Sequence, residues 1–426
     1  MMPDSHHSHS SHNSHSSKLK QTRRQFLTTC AISTTALTLG TSVLAQAAQH
    51  KLTIERIELF PVRFPTVMPF KFLESPKGAT GRASVMIKVT ASNGTVGWGE
   101  SIPSQKWSYE TLESAVTTLD HYLIPVLIGM DPFDLNAIHA AMNREIGPGF
   151  STGAPITKAG IDIALHDLMG KALGRNLAEL WDRTTPDTLT LSWTLNPKTL
   201  DDLEPLIEKG QAQGFQNFNV KVGPDPEFDI EMCRIVKRLV PDGFLWGDAN
   251  GGYDLETALA VTPKYADIGM DVFEQPIKVN RLTGYQALKK QGALPIIMDE
   301  GVVSPEDLTE FIALGCCDGA AMKPCRCGGL VSARKQIEIL QDKELMFLGS
   351  GLTEPDISLA ASLILYGAYG LKYPAALNGP QFLGASVITE PLKPVDGKLR
   401  IPKGPGLGIQ VDESKVAELV EQSPLY

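Results

Sequence analysis

After Pro186 short apolar strands alternate with helical runs, and before it three strands precede three helical patterns; charged residues recur at the strand ends of the later part. These observations predict an α/β protein, a TIM-type barrel with an α+β domain ahead of it. The chain is long enough for both, with 426 residues, 42% hydrophobic and 20% charged. Strands are expected at Leu52–Phe64, Ser84–Ala91 and Thr95–Trp98, with Asn93-Gly94 as the hairpin turn. Helical periodicity follows over Glu110–Leu127, Pro132–Arg144 and Thr157–Leu180. Barrel strands are expected at Leu189–Leu195, Phe218–Val222, Phe244–Asp248, Val272–Glu274, Ile296–Asp299, Gly319–Lys323, Met346–Gly349 and Ala375–Leu377. The expected division is a leader over 1–47, an α+β domain over 48–185, the barrel over 186–385 and a C-terminal segment over 386–426 that returns to the first domain.

The first fifty residues differ in character. Residues 4–17 are a Ser/His tract that reads as a tail. Arg23-Arg24 then precedes a Thr-, Ala- and Leu-rich run ending at Ala45-Gln46-Ala47, which resembles a twin-arginine export signal cleaved near Ala47. The run holds too many threonines for a membrane span. A periplasmic or extracellular protein with no membrane association once mature is expected. The net charge of −9 gives no footprint for nucleic acid. Of six cysteines, Cys30 leaves with the signal, and the remaining five lack zinc-site spacing, so small core residues are expected rather than a disulfide frame.

The chemistry lies at the strand ends. Lys221, Asp248, Glu274, Asp299 and Lys323 are spaced 24 to 27 residues apart, about one βα unit each. In a barrel that end is where active sites form. Three converging carboxylates repel one another unless a cation holds them ionised, and hard oxygen ligands suit Mg²⁺. A lysine on each side places an amine where it can take or return a proton. This residue set fits abstraction of the proton α to a carboxylate, with the metal stabilising the enediolate.

Through these five positions, residues 52–411 resemble the enolase superfamily, in its muconate-lactonizing-enzyme-like subgroup. Further matching segments are Val96-Gly97-Trp98-Gly99-Glu100, Ile161–Lys171, Gly328-Gly329-Leu330 and Pro402–Gly408. The resemblance implies a (β/α)7β barrel under an N-terminal capping domain completed by the C-terminal tail. It also implies Mg²⁺ on Asp248, Glu274 and Asp299, and acid/base roles for Lys221 and Lys323. Asn219, Asn250, Glu300, Ser350, Asn378, Gln381 and Phe72 are the expected substrate contacts. The loop Met68–Gly81 is expected to close over the substrate, with Phe70, Phe72 and Trp107 as an apolar wall. His166 stands where the family often carries an aromatic residue and reads as a packing residue. None of the nine histidines falls in the barrel, which excludes a strand-seven His/Asp dyad.

Two positions depart from the family. The second strand reads Asn219-Val220-Lys221 where the family has Lys-x-Lys, so Asn219 offers a hydrogen bond but no charge, and the pKa of Lys221 should lie higher than in a typical member. The eighth strand lacks the Asp-x-Asp that holds an ammonium in dipeptide epimerases; Asn378 and Gln381 suggest a neutral polar contact. The expected activity is epimerisation, racemisation or cycloisomerisation of a small carboxylate by a homo-oligomer. The alternatives are a syn-dehydratase and an exported binding protein on the same fold.

Overall fold

The computed structural model describes residues 52–70, 72–73, 81–149 and 151–423. The leader and export signal expected over 1–47, Cys30 included, lie outside the described residues, as does part of the 68–81 loop. Three antiparallel strands open the fold: β1 (Ile54–Phe64), β2 (Arg82–Ala91) and β3 (Val96–Ser101), in the order β1-β2-β3. Asn93 and Gly94 make the β2–β3 turn, with Gly94 at φ +83 and the Asn93 side chain accepting from the Thr95 amide. The expected helix over 110–127 is broken into α1 (Leu112–Thr118), a π turn and α2 (Ile124–Leu127). Pro125 cannot donate to the helical ladder, which accounts for the irregular middle. Then come α3 (Leu135–Glu145), α4 (Pro155–Leu173) and the single turn α5 (Leu177–Leu180). The pattern expected over 157–180 divides at Gly174, which takes the left-handed conformation that ends α4.

Helix α4 is buried at every position from Pro155 to Gly170, unlike a helix with one wet face. It lies against β2 and β3 on one side and against the barrel on the other. Close approach is made by glycine. A Cβ on Gly97 would meet the Ala164 carbonyl oxygen at 2.2 Å, and one on Gly99 the Gly160 oxygen at 2.0 Å. Two buried aspartates of α4 hold the seams. Asp167 accepts from the amides of Trp98 and Leu407, tying the helix to both the first sheet and the C-terminal tail. Asp162 accepts from the Leu330 amide and contacts His139 and His166. Burial works to raise Asp162, but the two histidines outweigh it and hold it below the ordinary carboxylate range.

The barrel runs β4 (Thr188–Thr190), β5 (Trp193–Leu195), α6 (Leu203–Gln211), β6 (Phe218–Lys221), α7 (Pro226–Leu239), β7 (Leu245–Asp248), α8 (Leu255–Ile268) and β8 (Val272–Glu274). It continues with α9 (Leu282–Gln291), β9 (Ile296–Met298), α10 (Pro305–Ala313), β10 (Gly319–Met322), α11 (Leu330–Asp342), β11 (Met346–Gly349) and α12 (Asp356–Ala368). Seven parallel strands form a curled sheet in the order β11-β10-β9-β8-β7-β6-β5. The expected eighth strand, 375–377, makes only single bridges, Leu191 with Ala375 and Ser350 with Ala376, and with them it fills the gap between β11 and β5. The strand expected over Leu189–Leu195 is two: β5 joins the barrel, whereas β4 pairs antiparallel with β12 (Lys398–Arg400) of the tail. Between them a short turn, α13 (Gly379–Phe382), follows the eighth segment. The last helix, α14 (Glu413–Glu421), packs on β1. All five described cysteines are buried and free.

Alternation along the strands sorts the barrel interior into layers. Trp246, Val272, Ile297, Ala321, Leu348 and Ala376 pack on one another as one apolar ring. Two residues beyond each stands a polar or charged residue on the same face: Asp248, Glu274, Asp299, Lys323, Ser350 and Asn378. The ring is thus the floor of the functional site.

Two outcomes follow from the seam. Gly99→Ala forces the sheet off α4 and should cost about 3 kcal/mol, the upper end of ordinary overpacking; an unchanged thermal midpoint would show that the close approach is dispensable. Buried Glu100 accepts from Ser84 and Ser358, and burial raises its carboxyl from 4.5 to about 7. A carboxyl raised on folding contributes stability that is full below pH 4.5 and lost as pH climbs through 7. Glu100→Gln should therefore melt above wild type at pH 8 and level with it at pH 4.5, read from thermal scans across that range.

Candidate active site

Parallel pairing sets the first three groups side by side: Lys221 is the register partner of Asp248, and Asp248 of Glu274. Asp299 and Lys323 follow directly after β9 and β10. Asp248, Glu274 and Asp299 are all buried, and one ligand oxygen from each lies within 4.8 Å of the others. The Lys221 amine donates to Asp248, and Lys323 donates to Asp299 with Nζ 3.9 Å from Glu274 Oε1. All five strand-end groups therefore converge.

The surroundings hold these groups in place. The Trp246 indole N–H donates to Glu274 Oε2 at 2.7 Å, and the Asn250 amide donates to Asp248 Oδ1 at 2.9 Å. Arg326, fully buried, donates to Asp299 and to the Ala321 carbonyl. Asn250 and Gln275, each just beyond a triad residue, have φ of 47° and 40°, a conformation non-glycine residues adopt only when their setting fixes it. Gln275 takes part in that setting, since its side-chain oxygen accepts from the Asp299 amide at 2.9 Å.

Electrostatically the triad is divided. Burial, followed by the charges of Asp248 and Asp299, pushes Glu274 well above the ordinary carboxylate range. Burial also works against Asp299, but Lys323 and Arg326 prevail and hold it low. Lys221 is raised: burial favours loss of its proton, yet Asp248 and Glu274 more than compensate. Glu274 Oε1 is buried without a hydrogen-bond partner. A buried oxygen-only donor set with an orphaned carboxylate oxygen fits a hard divalent cation, held by Asp248, Glu274 and Asp299.

A cavity opens above these groups, lined by Lys221, Lys323, Asn219, Asn250, Ser350 and Asn378, with Phe70, Phe72 and Trp107 as its apolar side. The Lys323 amine lies 4.9 Å from the Trp107 ring centre and the Lys221 amine 6.0 Å from that of Phe70. Asn219 lies on the same face as Lys221 but one layer down, and its Nδ2 has no partner. Asn378 donates to the Thr194 hydroxyl, leaving its Oδ1 free.

Two expected substrate contacts fall elsewhere. Gln381 is not on the cavity wall, because its side chain accepts from the Thr194 amide and donates to the Thr194 carbonyl, pinning the eighth segment to β5. Glu300 accepts from the Asn250 side chain and faces a neighbouring cavity with Lys278 and Arg281. Burial, then Asp299 and Asp248, raise it to about 7. His166 is buried beside Trp181, with Nδ1 on the Asp162 carbonyl. Sequence reasoning passed over Arg82 and Thr353 on the cavity wall, and Arg326 and Glu354 close by. Arg326 had a signal, three residues beyond Lys323 in an otherwise apolar turn; Arg82 had a weaker one in opening a mostly apolar strand.

Two family models match. "Mandelate racemase / muconate lactonizing enzyme, N-terminal domain" matches residues 57–181, and "Enolase C-terminal domain-like" matches residues 202–415. A chloromuconate cycloisomerase from Cupriavidus necator is 30% identical over 362 residues, covering 84% of this chain and 95% of that enzyme. Muconate cycloisomerase 1 from Rhodococcus opacus is 27% identical, covering 86% and 98%. The solved muconate lactonizing enzyme from Pseudomonas putida superposes with a TM-score of 0.79 at 28% identity over 86% of this chain and 99% of that one. That from Pseudomonas fluorescens, complexed with muconolactone, gives 0.80 at 27% over 87% and 100%. The chain belongs to the enolase superfamily, in its mandelate racemase/muconate lactonizing enzyme branch. Within that branch it is an enzyme of the isomerase kind, similar to the cycloisomerases above. Among the described residues no helix is long and apolar enough to cross a membrane.

Adding Mg²⁺ to chelator-treated protein should raise the thermal midpoint by several degrees, since a ligand at a hundred times its Kd stabilises by about 2.7 kcal/mol. Glu274→Gln removes a repelled charge, so it should melt above wild type without metal and show little response to Mg²⁺. Equal shifts in the two proteins would exclude Glu274 as a ligand.

Proposed function

We propose that this protein is a Mg²⁺-dependent isomerase that moves the proton α to a carboxylate of a small acid, with Lys221 and Lys323 as the proton carriers and cycloisomerisation as its favoured outcome. The observation that carries the reading is the placement of two lysine amines on opposite flanks of one buried acidic triad. When bound, the metal supplies positive charge that stabilises the negative charge developing on the substrate carboxylate and lowers the proton affinity of nearby amines.

The remaining work falls to side chains. Asp248 and Asp299 each hold one amine by a hydrogen bond, fixing its direction. Phe70 and Trp107 cover those amines on the cavity side, which limits water at the proton-transfer positions. In the cyclising direction a second oxygen nucleophile within the unsaturated acid adds to the carbon β to the activated carboxylate, the electron pair of the double bond moves to the α carbon, and an ammonium delivers its proton there. Nothing is oxidised and no atom is lost, as isomerisation requires. A racemase would use the same two amines on opposite faces of the α carbon. The cycloisomerase relatives favour ring closure for this chain. The Arg23-Arg24 leader supports export of the folded protein, so that its substrate would be met outside the cytoplasm.

Small carboxylates, including cis,cis-muconate, incubated in D2O with Mg²⁺ should gain deuterium at the α carbon as detected by NMR. Lactone formation supports ring closure, inversion without a new ring supports racemisation, and exchange without inversion sinks racemisation. Lys323→Ala and Lys221→Ala should each slow exchange by about 10²–10⁴-fold, the usual worth of a positioned acid or base. Unaltered exchange would remove that lysine from the assignment.

A further inference from the structure

One cation on the cavity wall has no part in moving the proton. Arg82 opens β2 and is 2% exposed, yet it lines the cavity beside Ser104, Lys323 and Thr353. It arrives from the first sheet, whereas Lys221 and Lys323 arrive from the barrel. One arm is used: Nη2 donates to the Ile102 carbonyl at 2.8 Å. Nε is buried and has no hydrogen-bond partner. Among the described residues no carboxylate lies within ion-pair distance of the guanidinium.

The nearest carboxylates do not neutralise it. Glu354 and Glu100 act on Arg82 through space, but burial pushes both of them up to about 7, so near neutral pH each is only partly ionised. Arg82 itself is lowered by burial, to about 10, and keeps its charge. A buried guanidinium with an idle N–H and no counter-ion is costly to the folded protein. That cost is offset when an anion enters the cavity and accepts from it. The triad carboxylates take their ion-pair partners from Lys221, Lys323 and Arg326, and Arg82 pairs with none of them.

We propose that Arg82 is a specificity-determining residue that binds a second carboxylate of the substrate, away from the one at the acidic triad. This rests on the proton-transfer reading for the first carboxylate. Two fixed points then grip the molecule, the triad from the barrel and Arg82 from the first domain. A dicarboxylic acid satisfies both, and a monocarboxylic acid of equal length leaves the guanidinium unpaired. A purely structural Arg82, tethering β2 to Ile102, would instead affect both kinds of acid alike.

The test is calorimetric titration of the full chain, loaded with Mg²⁺, with adipate and with hexanoate, which match in length and differ in one terminal group. Wild type should bind adipate at least about tenfold more tightly, as a charge-assisted hydrogen bond warrants. In Arg82→Gln the two affinities should draw to within about twofold, and Arg82→Lys should recover part of the preference. Wild type without a preference overturns the proposal, even where a variant fails to fold; so does a folded Arg82→Gln that keeps the tenfold ratio. The underlying reading fails separately: hexanoate binding indifferent to EDTA would remove the triad as the first anchor, whatever the adipate ratio.

Discussion

Three carboxylates buried within 4.8 Å of one another set the terms for this protein. Such a group is unfavourable in a dry interior, and nearly everything around it answers that constraint. Lys221 from β6, and Lys323 and Arg326 from the turn after β10, bring positive charge, while the Trp246 N–H and the Asn250 amide satisfy lone pairs. The barrel makes this possible because parallel strands in register deliver one side chain each to the same height. The apolar ring beneath, in which Trp246 is the largest side chain, makes most of the floor.

The first domain meets the barrel along α4, where Asp162 reaches the turn that follows Lys323. That turn also carries Arg326, which holds Asp299. One turn of chain, hydrogen-bonded at one end to Asp162 and at the other to Asp299, thus links the buried helix to a triad carboxylate. The glycines of β3 let the sheet approach α4, and Glu100 at its end faces the start of α12. Cap and barrel are therefore joined by buried polar groups as well as apolar surface. Such groups tolerate little displacement, since each would be left without a partner.

The strand-end residues were legible in the sequence because a charge that closes an apolar run is costly to bury unless a site uses it, and their spacing repeats with the βα unit. The split of Leu189–Leu195 was not legible. Thr188–Thr190 has strand-like composition, and only the distant tail strand decides that it pairs outside the barrel. Gln381 was misjudged for a similar reason, because a polar side chain near a strand end can serve a neighbouring backbone as readily as a ligand. Arg82 lies in the first domain, and no periodicity links it to the barrel mouth. Its place is fixed by three-dimensional packing alone. Pro125 and Gly174, which interrupt the helical runs, were visible as residues but not as boundaries.

The apolar ring described above is not closed. Between β7 and the eighth segment its level is occupied by Asn219 on β6 and bordered by Thr194 on β5, with Asn378 one layer higher. This sector is neutral and is built from short amides and a hydroxyl, with one free donor and one free acceptor. Exchanging such groups alters the shape and hydrogen-bond pattern of the floor without disturbing the count of charges around the triad. The floor therefore has one side set by the charge balance around the triad and another built of neutral groups, where an exchange changes shape and hydrogen bonding and leaves that balance as it was.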